Sequence, residues 1–463
     1  MRTLVMCLCL SLFSGVAHAS SLTLTQLLEH VMVSHPYLQV LEQQGRQQQY
    51  ALENADAAFD PYIAQSADSR LSGYYSGDVA TSEFAQPLRD MNGEIYTRYR
   101  IADGDFPVYD GQYDTLSAGE ASIGVKLSLL KGRDTDKRRT ALRNARLDIE
   151  RWETDYLLGV NKLLYSASMT FLDWYESYLK IERLEELRRT LEKQEAALAK
   201  KVEQGDEARV TLQAFEANLL EIDLLHAAEQ QKLQSSTTKL YYYVPPQWIA
   251  RFKPALANDS WPFQVNPTRL TDLKGQLSRH PLANDLSLAL EQQRNKQRLA
   301  SNNLLPKLDV KAELARDMGT GPDSLAQTDT KVGLSFSYPL GNRQARAKEA
   351  SAQAKYKELE FKLLDTEQKL NQQFETAVAQ WQQSTKLSTL NAQAATLADR
   401  LQAVEKTRFD AGDTDIFVLN ARQIAFIKAQ LKLIAAKIDE RRAQLSLYYA
   451  VGALPVSVAT QAN

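Results

Sequence analysis

Cysteine is nearly absent from these 463 residues: only Cys7 and Cys9 occur. Both sit in an opening segment laid out like a secretory signal, residues 1–19, with Arg2, an apolar run from Leu4 to Phe13 and the small-residue site Ala17-His18-Ala19. Cleavage after Ala19 is expected to leave a mature chain without a thiol, which excludes disulfides and any Cys-based metal or redox chemistry. Neither cysteine follows the cleavage site, so no lipid anchor is expected on the mature N-terminus. Beyond that segment no apolar run reaches the roughly 18 to 20 residues of a membrane-spanning helix, so any spans must be strands. A one-signed charge is missing too. With 55 basic against 57 acidic residues, the formal net charge is -2, which argues against a nucleic-acid partner. The mature histidines, His30, His35, His226 and His280, are scattered, with no His-x-x-x-His spacing. Asp103-Gly104-Asp105 with Asp110 and Asp114 lacks the spacing and terminal Glu of an EF-hand. No nucleophile elbow or phosphate loop occurs either, so the chain reads as a non-enzyme without cofactor or metal.

What the chain does have is written twice. His35-Pro36 and Pro61 recur as His280-Pro281 and Pro306, 245 positions later; Leu130 and Arg133 match Leu340 and Arg343, 210 later; Gly205-Asp206 and Tyr241-Tyr242 match Gly412-Asp413 and Tyr448-Tyr449, 207 later. The fall from 245 to 210 places 35 extra residues between the strand segments of the first copy. Such a duplication points to a quasi-symmetric architecture.

Each copy opens with a helical stretch that ends at Pro61 or Pro306, where strand chemistry takes over. Leu308, Val310, Ala312 and Leu314 alternate with Asp309, Lys311 and Glu313; Leu334, Phe336 and Tyr338 alternate with Ser335 and Ser337; Val125, Leu127 and Leu129 alternate with Lys126 and Ser128. The segment from Tyr62 to Leu71 is the weakest of the four, with Gln65 and Ser69 at positions that are apolar in its counterpart. Strands are thus expected at about 62–72, 121–130, 307–316 and 331–340, apolar on one face and charged on the other, as suits a lipid-facing barrel with a wet interior. A soluble half-buried sheet fits the same alternation. The segment 73–120, rich in Tyr, Gly and Asp, reads as a long extracellular insertion.

Long helical hairpins follow, at 131–243 and 342–452. Val160, Leu164, Ala167, Phe171, Trp174, Tyr178 and Ile181 step by fours and threes, as do Leu387, Leu390, Ala394, Leu397, Leu401 and Val404, so both series read as coiled-coil seams. About 70 residues separate Arg133 from Gly205, roughly 105 Å of helix at ~1.5 Å per residue. Residues 20–245 and 269–453 are therefore two structural repeats joined by a Pro-rich connector, 246–268, and followed by a short tail, 454–463.

The order helix, strand, strand, long helix, return helix, given twice, resembles the TolC family of outer-membrane efflux proteins over essentially the whole mature chain. The most specific local match is the hairpin tip: Phe409, Gly412 and Val418-Leu419-Asn420-Ala421, with Val202, Gly205 and Thr211-Leu212-Gln213-Ala214 in the first copy. The resemblance implies a mainly α fold with β: a homotrimer forming a twelve-stranded β-barrel in outer-membrane lipid, joined to a periplasmic α-helical coiled-coil tunnel. It implies a passive duct for efflux or type I secretion, whose tips, marked by Gly205, Asp206, Phe409, Gly412 and Asp413, dock a periplasmic adaptor that links to an inner-membrane pump. A periplasmic aperture is then expected around Arg408, Asp410, Asp413, Asp415, Asn420 and Arg422, with the arginines pairing to the tip carboxylates. At two positions where the family's best-known member carries aperture-narrowing acids, this chain has Phe417 and Asn420. From the residues alone, four strands cannot close a barrel, so at least two chains must contribute. The same long helices also permit a non-channel periplasmic scaffold, on which amphipathic strands would be wasted.

Overall fold

A computed structural model describes residues 21–256 and 261–461; the signal-like segment lies outside them. In chain order the elements are β1 (Ser21–Thr23), α1 (Leu24–Ser34), α2 (Pro36–Asp56), β2 (Tyr62–Arg70), β3 (Gly77–Pro87), β4 (Gly93–Gly104), β5 (Glu120–Ser128), α3 (Lys137–Gln204) and α4 (Arg209–Leu240). After them come α5 (Pro246–Arg251), β6 (Lys253–Ala255), α6 (Pro267–Gln276), α7 (Pro281–Asn302), β7 (Lys307–Asp317), β8 (Thr328–Ser337), α8 (Arg343–Asp410), α9 (Ile416–Ala450) and α10 (Leu454–Gln461). The duplication is visible directly: α3 and α8 are each 68 residues long. The connector holds the short α5 and β6 rather than being wholly irregular, and the tail winds into α10.

The chain divides into two compact units. One contains the described residues up to Gln39, Leu157–His280 and those from Lys369 on, and is built from helices apart from the small parallel pair β1 and β6. A capping box starts its first helix: the Thr23 hydroxyl accepts from the Gln26 N–H while the Gln26 side chain accepts from the Thr23 N–H. The helix stops at His35 because Pro36 disfavours helical backbone before it. Here His35 is buried: Nδ1 accepts the Tyr37 N–H at 3.2 Å, which leaves Nε2 to donate to the Tyr242 carbonyl at 3.1 Å. Burial pushes the imidazole pKa below its usual value, so this ring is held neutral.

The second unit, Val40–Tyr156 with Pro281–Gln368, contains one antiparallel sheet of six strands in the order β2-β3-β4-β5-β7-β8. Four strands per chain were expected. The segment 73–120 is not one loop, because its 77–87 and 93–104 stretches form β3 and β4, inserted between β2 and β5. What remains of the insertion as connection is 71–76, 88–92 and 105–119.

Candidate functional site: the strand wall and the hairpin tips

In the sheet, register fixes which side chains share a face. Ile63 pairs with Phe84, Phe84 with Thr97, Thr97 with Ile123, and Ile123 with Leu314; the next rows align Ala80 with Ile101, and Ile95 with Val125, Ala312 and Val332. Side chains alternate along a strand, so all of these lie on one face with Val310, Leu334 and Phe336. It is apolar and open: Ile63, Phe84, Ile95, Ile101, Ile123, Leu314, Val332, Leu334 and Phe336 are all exposed. A contiguous apolar surface of this kind marks contact with something other than water.

The opposite face is ionic. Arg98 holds Glu83 at 2.7 Å and Glu313 at 3.5 Å, Arg100 holds Glu120 at 3.1 Å, Lys331 meets Glu120 at 3.0 Å, and Lys311 meets Glu313 at 2.8 Å. The Tyr96 hydroxyl adds a hydrogen bond to Glu313. Gly124 makes room for that ring, since a β-carbon there would come within 2.3 Å of the Tyr96 oxygen. These bonds cross strand boundaries from β3 to β8 and satisfy carboxylates that would otherwise be costly to bury. At the end where helices enter, Arg89 pairs with Asp56, Arg139 donates to the Asp90 carbonyl at 2.7 Å, and Asn92 donates to Ser128 at 3.1 Å. Arg139, one of the basic residues following β5, is thus committed to the protein, with Asp136 at 2.6 Å as well.

In the other unit the two tips share one backbone design. Gly205 donates to the Val202 carbonyl and Asp206 to that of Lys201; Gly412 donates to Phe409 and Asp413 to Arg408. Both are Schellman closures with the glycine at positive φ, +82° and +80°. A β-carbon at either would meet nothing within 4 Å, so the demand for glycine is conformational, not steric. Beneath them Leu184, Leu187, Leu191 and Leu198 of α3, Phe215 and Ile222 of α4, and Ile424 and Ile427 of α9 form a buried cluster.

The aperture residues separate on inspection. Arg408, Asp410, Asp413, Asp415 and Arg422 are exposed, and Phe409 is half-buried. Asn420 is fully buried, which removes it from any aperture lining, and among the described residues neither end of its amide has a partner. Its position explains this: it lies one helical turn from Gln423 and Ile424 and two from Ile427, which are buried on the same side of α9. The expected pairing of arginines with tip carboxylates is also corrected. Arg408 binds Glu405 at 3.3 Å and the Asp413 backbone carbonyl at 3.3 Å. Arg422 has no ion pair among the described residues. Asp415 caps α9, its Oδ1 accepting from the N–H groups of Phe417 and Val418, both at 2.9 Å. The first copy has Ala208 at that place, with no side-chain cap.

Residues 276–453 match the family model described as outer membrane efflux protein. No curated protein matches the chain by sequence. Among solved structures, the outer-membrane channel OprN is similar with a TM-score of 0.67 at 14% identity, over 93% of this chain and 90% of that one. The outer membrane protein VceC from Vibrio cholerae is similar with a TM-score of 0.67 at 15% identity, over 93% and 96%. The CmeC outer membrane channel of Campylobacter jejuni gives 0.65 at 13%, over 93% and 85%. Taken with the amphipathic sheet and paired long hairpins, these likenesses show that the chain has the fold of these outer-membrane channels, with residues 276–453 matching the outer membrane efflux protein family.

Proposed function

We propose that this chain is an outer-membrane efflux protein, the passive exit duct of a tripartite export system, for efflux or type I secretion. In this reading three copies close one ring, and the tips receive a periplasmic adaptor that links to an inner-membrane pump. The observation that carries it is a sheet with one apolar and one ionic face that ends in two open edges. Unpaired backbone groups cost several kcal/mol each in lipid, so β2 and β8 need partners from other chains. Both edge strands are exposed along their whole length. A second stripe agrees: on α8, Leu387, Leu390, Leu397, Leu401 and Val404 are exposed, a coiled-coil seam left uncovered by the described residues.

Adaptor docking at Gly205, Asp206, Phe409, Gly412 and Asp413, and an acidic aperture at Asp410 and Asp413, belong to the same proposal. Native mass spectrometry of detergent-solubilised protein, with in vivo crosslinking from the tips, tests it. A trimer that captures an adaptor and a pump is the expected result. A stable monomer, or mature protein found only in the soluble periplasm, would return the molecule to a scaffold role. Replacing Asp410 and Asp413 with Asn is expected to reduce cation selectivity in planar bilayers; unchanged selectivity would leave the tip as docking surface alone.

A further inference from the structure

We infer that β3 and β4 are membrane-spanning staves of the barrel wall, so that each chain supplies six strands and a ring of three copies closes at eighteen. The copy number rests on the trimeric reading above; the placement of the hairpin does not.

Length is the first argument. β3 has 11 residues and β4 has 12, which meets the ~9–11 residues a tilted spanning strand needs, and neither is shorter than β2 or β5 at 9. Register is the second. β4 pairs with β5 from Gly93–Leu127 to Arg100–Glu120, and β3 pairs with β2 from Tyr62–Ala85 to Arg70–Gly77, so the hairpin stands level with the strands on both sides. A flap at the mouth would pair only near one end.

Chemistry is the third. Phe84, Ala80, Ile95, Tyr99 and Ile101 continue the apolar face, while Glu83, Arg98 and Arg100 continue the ionic one and join it to Glu313 and Glu120 of the strands beyond. A soluble hairpin has no use for an outward apolar row that matches its neighbours row by row. The turn at 88–92 is bonded to the ends of α2, β5 and α3 through Arg89, Asn92 and Arg139, which fixes the hairpin at the helix-bearing end of the sheet.

The edges also permit closure. With six antiparallel strands, β2 and β8 run in opposite directions, so β8 of one copy meets β2 of a second copy as an ordinary antiparallel pair. Barrel diameter grows roughly in proportion to strand number, so eighteen strands give a bore about 1.5-fold wider than twelve, in the range where barrels keep an aqueous channel.

The absence of cysteine after residue 9 makes the test clean. Single cysteines replacing Val79 or Thr81, on the ionic face, and Ala80, Ile95 or Ile101, on the apolar face, are exposed to a membrane-impermeant maleimide in isolated outer membranes. The expected result is reaction at positions 79 and 81, protection at 80, 95 and 101, and loss of that protection in detergent. Uniform reactivity across both sets would overturn the inference whatever the copy number, because it would put the hairpin in water. Electron cryomicroscopy of the protein in nanodiscs then counts the wall: eighteen strands in a trimer supports the proposal, and twelve with a detached hairpin refutes it. A trimer with a detached hairpin would leave the duct reading standing; six paired strands per chain in any other ring would instead remove the trimer.

Discussion

The two repeats share a backbone plan and differ in what each leaves open. In the first, the seam residues Val160, Leu164, Ala167, Phe171, Trp174 and Ile181 are buried by the chain's own helices; in the second, Leu397 and Val404 are each 59% exposed. The first repeat contributes four strands to the sheet and the second two. Its tip lacks a side-chain helix cap, whereas the second has Asp415. Duplication has preserved the landmarks that set chain direction, the His-Pro breaks and the Gly-Asp reversals. The lateral faces have diverged, one toward self-burial and one toward exposure.

That contrast predicts opposite phenotypes for equal mutations. Phe171→Ala should destabilise the folded chain by about 3–5 kcal/mol, the cost of truncating a fully buried aromatic. Leu397→Ala should leave chain stability nearly unchanged and weaken the oligomer. Denaturant unfolding in detergent and native mass spectrometry separate the two; equal effects on chain stability would erase the distinction between the seams. Asn420→Leu should stabilise the second tip by roughly 1–3 kcal/mol, because it removes a buried amide that forms no hydrogen bond to described residues. The readout is slower hydrogen exchange in α9, and faster exchange would show that the amide is satisfied after all.

The caps allow a transplant. Asp415→Ala should cost about 1 kcal/mol and Ala208→Asp should return about the same to the first tip, again by hydrogen exchange. Smallest is a pH effect confined to the first repeat's helix break. His35 has a lowered folded pKa, so the unfolded chain binds the extra proton. Its contribution is complete above the unfolded value of 6.5 and is lost as pH falls through the folded one. Melting temperature should therefore drop below about pH 6.5, and less so in His35→Gln; an identical slope in that variant would place the sensitivity elsewhere.

Much of this was legible in the chain itself. Strands expected at about 62–72, 121–130, 307–316 and 331–340 appear at Tyr62–Arg70, Glu120–Ser128, Lys307–Asp317 and Thr328–Ser337, so Tyr338 falls just past the end of the last; these strands and both hairpins announce themselves through period-two and four-three spacing. The hairpin from Gly77 to Gly104 does not, because its outer row is diluted by Ser82 and Thr97 and its inner row is charged, so its composition matches a loop. Alternation of Phe84, Ile95, Tyr99 and Ile101 with Glu83, Arg98 and Arg100 was the available signal. Asn420 was misplaced because family position took precedence over helical phase; counting from Gln423, Ile424 and Ile427 puts it inside.

The insertion between β2 and β5 adds an even number of strands. A single extra strand would have ended β5 at the opposite end of the sheet and carried α3 away from the end where α2 leads in; a pair returns the chain to the same end. On the proposed barrel the gauge of the wall therefore changes in steps of one hairpin per subunit, separately from the long helices. On that proposal a lineage could widen or narrow its outlet while leaving the hairpin tips unchanged.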